Sequence, residues 1–297
     1  MTTDIYQTTT NRIIQQIENG TKPWTCPWVK TDISLSRPLR ANGLPYAGIN
    51  ILILWSATME RGFTSPYWLT FKQVQGLGGQ VRKGERSERI VFTSKFQPAD
   101  GGAEEAGQKT HSFLKGYAVF NATQVDNLPD RYLGSASVPV VDGQDGQRPS
   151  QVLAGKTGAI VREGGDRAFY SPKHDYIGMP ALTRFTDPLD YDATLLHELI
   201  HWTRHDSRLA REFGRQRFGD AGYAMEELVA ELGAAFLCAA LGLAPSDQPR
   251  EDHAAYLAAW LAVLKSDKRA IFTAASHAGK AADYVLRAHV PAAVMVG

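Results

Sequence analysis

The chain has 297 residues, which at about 150 per domain favours two domains over one. Hydrophobic residues make up 43% and charged residues 21%, with a mean hydropathy of −0.26, a composition that excludes general disorder. The net charge of +1 is unevenly spread: residues 11–95 hold twelve Lys and Arg against five Asp and Glu, so the remainder is acidic.

At the N-terminus, Met1-Thr-Thr-Asp4 lacks the basic segment and apolar core of a signal peptide, which points to the cytoplasm. Ile13, Ile14 and Ile17 mark a helix that Gly20 stops. A loop rich in proline and tryptophan follows, from Lys22 to Trp28. The longest uncharged run, Ala41 to Met59, is interrupted by Asn42, Pro45 and Asn50, so no membrane span is expected. Its apolar part, Ile49 to Met59, reads as a buried helix ended by Gly62, with Trp55 in the core. Tyr67 to Thr70 reads as extended, Phe71 to Gly76 as a short helix, and Arg89–Thr93 and Ser112–Phe120 as strands. Asp100 to Lys109 has the composition of a hairpin tip, and Val141 to Gln151 that of a connection between domains. Beyond it, a Gly-rich turn at 163–166 joins two short strands, and helices are expected near 191–203, 225–241, 251–264 and 267–289. The fold class is α+β, with residues 1–130 as an N-terminal domain, 131–150 as linker and 151–297 as a mainly helical second domain. Cys26 and Cys238 are too few and too far apart for a disulfide framework or a metal set.

His197-Glu198-Leu-Ile-His201 is an HExxH sequence within a helical pattern. Spacing by four puts both imidazoles on one helix face, where they can share a cation. Glu198 then lies where it can act as general base on a water that the cation polarises. The extended form HExxHxxGxxH is absent, since Arg204 occupies the glycine position, and His205 falls outside the ligand set. A third ligand can come from the later segment Tyr223-Ala-Met-Glu-Glu-Leu-Val-Ala-Glu231. There Glu227 and Glu231 share a face, and Glu226 points about 100° away. These glutamates would otherwise form a solvated face, but Leu228, Val229, Leu232, Phe236 and Leu237 surround them with apolar residues. The arrangement resembles the glutamate-zincins. That resemblance implies Glu227 as third ligand, Glu231 as the residue that orients a ligand histidine, and Zn2+ as the cofactor, with Mn2+ or another divalent metal able to substitute. Tyr223 is a candidate hydrogen-bond donor to an oxyanion.

The basic stretch also carries four of the six tryptophans. Aromatic rings offer stacking faces for unpaired bases, and Lys and Arg follow phosphates, which suits single-stranded nucleic acid. Candidates are Trp24, Trp28, Tyr46, Trp68 and Phe71, interleaved with Lys22, Arg37, Arg40, Lys72, Arg82 and Lys83. A core role is the competing reading for Trp55 and Trp68.

The motifs Pro23-Trp24…Pro27-Trp28, Asn42-Gly43…Tyr46-Ala-Gly-Ile-Asn50, Trp68-Leu-Thr-Phe-Lys-Gln73, Gly78-Gly-Gln-Val-Arg-Lys-Gly-Glu85 and Val119-Phe-Asn-Ala-Thr-Gln124 resemble the N-terminal domain of ArdC-type antirestriction proteins, also found at the front of some plasmid primases. Asp175-Tyr-Ile-Gly-Met-Pro180, residues 197–203, Arg208-Leu209 and residues 223–231 resemble that family's zincin-like domain. Ala47 departs from the pattern, since members often have an arginine there. The resemblance implies a plasmid-borne protein that binds single-stranded DNA and protects incoming conjugative DNA from host restriction. It adds Asn42 and Asn50 to the candidate DNA contacts and implies a metallopeptidase at the back. The alternative is a peptidase that cleaves a regulatory or restriction protein in the recipient cell, with DNA binding only for localisation.

Overall fold

The computed structural model describes residues 4–24, 36–96, 111–134, 146–214, 220–244 and 253–288. Trp28, Cys26, the expected hairpin tip and most of the expected linker lie outside the described residues.

The first half is α+β. Helix α1 (Ile5–Glu18) is capped by Asp4, whose carboxylate accepts from the amides of Tyr6 and Gln7. Helix α2 (Ile49–Arg61) is buried along most of its length and ends at Gly62, whose φ of +66° is the left-handed conformation that glycine tolerates. Strand β1 (Trp68–Leu69) leads into α3 (Phe71–Gly76), which Thr70 and Gln73 close with a reciprocal capping box. Strands β2 (Gln80–Val81), β3 (Glu88–Phe96), β4 (His111–Asn121) and β5 (Val125–Asp126) follow. The long β3–β4 pair is antiparallel and β1 joins it in the order β1-β4-β3, while β2 pairs with β5. Buried Asn50 ties α2 to this sheet, donating to the Val91 carbonyl at 2.8 Å and accepting from its amide at 2.9 Å.

The second half opens with α4 (Pro149–Thr157), followed by β6 (Val161–Glu163), β7 (Phe169–Ser171) and β8 (Tyr176–Met179). These strands form a sheet in the order β6-β8-β7, with β8 parallel to β6 and antiparallel to β7. Helices α5 (Pro188–Trp202), α6 (Ala221–Leu241), α7 (His253–Ser266) and α8 (Ala270–Arg287) complete it. The expected helices are thus present within a few residues, whereas α4 and β8 were not anticipated.

One hydrophobic core runs through both halves. Ile13 and Ile17 of α1, Trp24, and Ile51 and Trp55 of α2 belong to the same cluster as Leu199, Phe236, Trp260 and Ile271. Trp24 meets Trp260 edge-on at 5.7 Å, and Trp55 meets Phe236 at 5.8 Å. Small residues on α8, Ala275 and Gly279, let the start of α2 at Gly48 approach closely.

Candidate metal centre

Asp187 starts α5 by accepting from the Leu189 amide at 2.8 Å, and Pro188 fills the first turn, where no amide is missed. From there the helix is buried on the side that carries His197, Glu198 and His201. Helix α6 lies close against it, because a Cβ on Gly233 would stand only 2.8 Å from Ile200. That proximity brings Glu227 onto the two histidines.

The geometry is compact. His197 Nε2 and His201 Nε2 are 3.1 Å apart, and each lies 3.5 Å from a Glu227 carboxylate oxygen. With metal–ligand bonds of about 2.0–2.1 Å, ligand atoms on a tetrahedral cation lie about 3.3 Å apart, so these three donors fit a divalent ion and leave a further position open. His197, His201 and Glu227 form the one such group of donors among the described residues. His205 is not in it and instead faces Ser207 at 2.9 Å.

The surroundings fix the imidazoles. His201 Nδ1 lies 3.0 Å from Glu226, whose carboxylate also receives Arg211 through Nε at 2.8 Å and through a terminal nitrogen at 2.7 Å. Arg211 and Glu226 are both fully buried, and Arg211 also donates to Thr203 Oγ1 and the Ile200 carbonyl. Proton donation from Nδ1 to Glu226 leaves Nε2 as the lone-pair donor toward the cation. On the other histidine, His197 Nδ1 lies 3.6 Å from Glu231, which Lys22 also approaches at 3.6 Å. Glu231 thus lies beside His197 but beyond hydrogen-bond reach, whereas Glu226, which the sequence set apart from the shared face, bonds His201.

Electrostatics favour positive charge between the rings. Burial opposes ionisation of Glu226, but the bonds from Arg211 and His201 outweigh it and hold its carboxyl down at about 2. Glu227 is likewise held well below the usual carboxylate range, its burial overcome by both histidines. Burial also disfavours a charged His201, yet Glu226 and Glu227 push the imidazole up to about 10. A divalent cation would take the place of that proton. The Tyr223 phenol is pushed up by burial, by Tyr256 at 3.1 Å and by the charge of Glu227, so it remains a protonated donor beside the cluster. Glu198 is buried next to His197.

Motif residues outside the centre brace it. Arg208 pairs with Asp175 and Tyr170 and lies 3.9 Å above the Trp202 ring, which pins the β7–β8 hairpin to the end of α5.

The structure divides the candidate DNA contacts. Trp24, Tyr46, Asn50 and Trp68 are buried and cannot stack on a base, which corrects their assignment as direct contacts. Tyr46 and Trp68 pack with Phe63, Ile90 and Val119, and the Tyr46 hydroxyl donates to the Trp68 carbonyl. Asn50 is consumed by its two bonds to Val91. Arg82 is engaged by Glu85 within its own turn and by the Thr123 carbonyl in the segment after β4. Asn42 is exposed and accepts from the Leu44 amide, and Phe71, Lys72 and Lys83 are also exposed. Arg40 is half-buried, with its guanidinium over the rings of Tyr46 and Phe92. Phe92 and Tyr117 are further exposed aromatic residues that the sequence did not single out, because alternation in a strand does not tell which face is covered.

Comparison with known proteins matches both halves. Residues 3–120 match the N-terminal domain of anti-restriction factor ArdC, and residues 149–277 match a zincin-like metallopeptidase family. The chain is similar to the protein y4eC of Sinorhizobium fredii (strain NBRC 101917 / NGR234), at 38% identity over 95% of this chain and 92% of that one. It is 36% identical to a DNA primase TraC of Escherichia coli over 93% of its own length, but spans only 26% of the primase. Among solved structures, the antirestriction ArdC protein from the R388 plasmid in metal-free form is 43% identical, with a TM-score of 0.79 over 96% of this chain and 97% of that one. Its Mn(II)-bound structure gives 41% identity and a TM-score of 0.78 over 97% and 99%.

Proposed function

Because this chain belongs to the ArdC family of antirestriction proteins, we propose that it binds single-stranded DNA and shields incoming conjugative DNA from host restriction in the cytoplasm. The observation that carries this reading is likeness to ArdC along nearly the whole chain, combined with a front half that is basic between residues 11 and 95. Among the described residues no helix is long and apolar enough to cross a membrane.

The second half is proposed to be a zinc-dependent metallopeptidase, with His197, His201 and Glu227 as ligands. Two nitrogens and one oxygen suit zinc, and manganese is a ready substitute. A divalent cation held there supplies Lewis-acid polarisation of water and of a carbonyl. Glu198 accepts a proton as general base, Glu226 and Glu231 hold the imidazoles, and Tyr223 offers a hydroxyl toward developing negative charge.

A second reading is favoured by Glu198, which a purely structural metal site would not need: the peptidase cleaves a regulatory or restriction protein, and DNA only localises it. Conjugative transfer into restricting and non-restricting recipients separates the two. Protection by coverage of DNA expects Glu198→Gln to protect as well as the unmodified chain. Transfer falling to the unprotected level with Glu198→Gln, at equal protein abundance, would assign protection to hydrolysis.

A further inference from the structure

The outer face of the β3–β4 hairpin assembles side chains that lie far apart in sequence. Register pairs Phe92 with Lys115 and Ile90 with Tyr117, so these four residues point to the same side. Toward Ile90 and Val119 that side is covered by Tyr46, Phe63 and Trp68. Beyond this cover it emerges into solvent at Phe92 and Tyr117, which are 38% and 39% exposed. The two rings meet edge to face at 5.4 Å. A cation lies at each end, Lys115 Nζ at 5.4 Å from the Tyr117 ring centre and the Arg40 guanidinium at 5.8 Å from that of Phe92.

The charges of this patch are available to an outside partner. Glu88, the acid on the same side, is already engaged by Arg12 and Arg61. Among the described residues no carboxylate pairs with Arg40 or Lys115. Exposed rings flanked by unneutralised cations match a polyanion with flat apolar faces. A duplex hides its base faces within the stack, whereas a single strand presents them.

We propose that Phe92 and Tyr117 are the stacking platform for bases of single-stranded DNA, with Arg40 and Lys115 taking the adjacent phosphates. This rests on the DNA-binding reading above and gives it a surface different from the buried tryptophans.

The test uses the full chain and a fluorescent oligothymidylate in anisotropy titrations over a salt series, with a matched duplex as the second ligand. Phe92→Ala and Tyr117→Ala should each weaken single-strand binding about 5- to 150-fold, the equivalent of about 1–3 kcal/mol per stacked base. Phe92→Leu and Tyr117→Leu, which keep apolar cover, should show the same loss with an unchanged urea midpoint. Lys115→Gln should flatten the salt dependence by about 0.7 in slope. Phe169→Ala, an exposed ring on β7 in the second half, should leave affinity unchanged. Folded leucine variants with unaltered affinity, a loss found instead in Phe71→Ala at the rival exposed ring on α3, or equal affinity for duplex would each overturn the platform. An unmodified chain that binds no oligonucleotide at any salt concentration would overturn the DNA-binding reading itself.

Discussion

Adjacent glutamates on α6 serve different atoms because a helix turns about 100° between them. Glu227 points at the Nε2 atoms of both histidines, and Glu226 reaches behind His201 to Nδ1. On the proposed ligand set, losing Glu227 removes a ligand, whereas losing Glu226 only loosens one. Calorimetric titration with zinc or manganese should therefore rank the variants: Glu227→Ala loses most affinity, and Glu226→Gln and Glu231→Ala each lose about 10- to 100-fold. Glu198→Gln should bind as the unmodified chain does. A greater loss in Glu231→Ala than in Glu227→Ala would exchange their roles. Arg211→Met should behave differently, since it strands a buried carboxylate, and should cost about 3–5 kcal/mol in urea unfolding. The histidines and Glu198 were legible because ligand spacing on a helix is a local pattern, and Glu227 only through the resemblance to the glutamate-zincins. Arg211 was not, because it lies in an irregular segment after α5, and only the fold shows which carboxylate it meets.

Between elements, the metal centre depends on how closely α5 and α6 approach. Gly233 faces the Ile200 side chain at the crossing, with no room for a methyl group. Gly233→Ala would gain about 1 kcal/mol in helix propensity but incur overpacking of about 1–3 kcal/mol. Displacement of α6 also carries Glu227 away from histidines held on α5. The expected result is a weakened metal affinity even where the urea midpoint moves little, with partial recovery in the Gly233→Ala, Ile200→Val pair. An unaltered affinity in Gly233→Ala would show that the crossing does not set the ligand geometry. The long helices were legible from their periodicity and stops. Helix α4 was not, since its sequence reads as polar linker and its support comes from another element. Asp192 on α5, with no exposure, accepts from the Ser150 amide and hydroxyl and pairs with Arg148. The four residues of β8 likewise owe their strand to β6 and β7 on either side.

At the scale of the whole molecule, charge and composition suggest two halves, and the core joins them. Polarity shows where the chain changes character, but it does not show what covers the apolar sides of α1 and α2. Their cover is α6, α7 and α8, through Trp24 on Trp260, Trp55 on Phe236 and Gly48 against Ala275. Polar ties reinforce the join, with Thr10 donating to the Lys268 carbonyl at 2.7 Å and Arg37 facing Asp283. A shared core couples the stability of the halves, so energy gained by a cation bound at the His197, His201 and Glu227 cluster is felt in the first half. A cation at 100 times its dissociation constant stabilises the native state by about 2.7 kcal/mol. Hydrogen exchange on the full chain should then show slower exchange in α5 and α6 on adding zinc. The amides of α1, α2 and the β3–β4 pair that open only by global unfolding should slow by a similar factor, about 100-fold. Two energetically separate domains would instead confine the protection to the second half. The same coupling bears on truncation: a fragment of residues 1–130 would expose Ile13, Ile17, Ile51 and Trp55 and should show no cooperative unfolding transition. A cooperative transition in that fragment, together with protection confined to α4–α8, would mean that the core contacts between the halves contribute little to either.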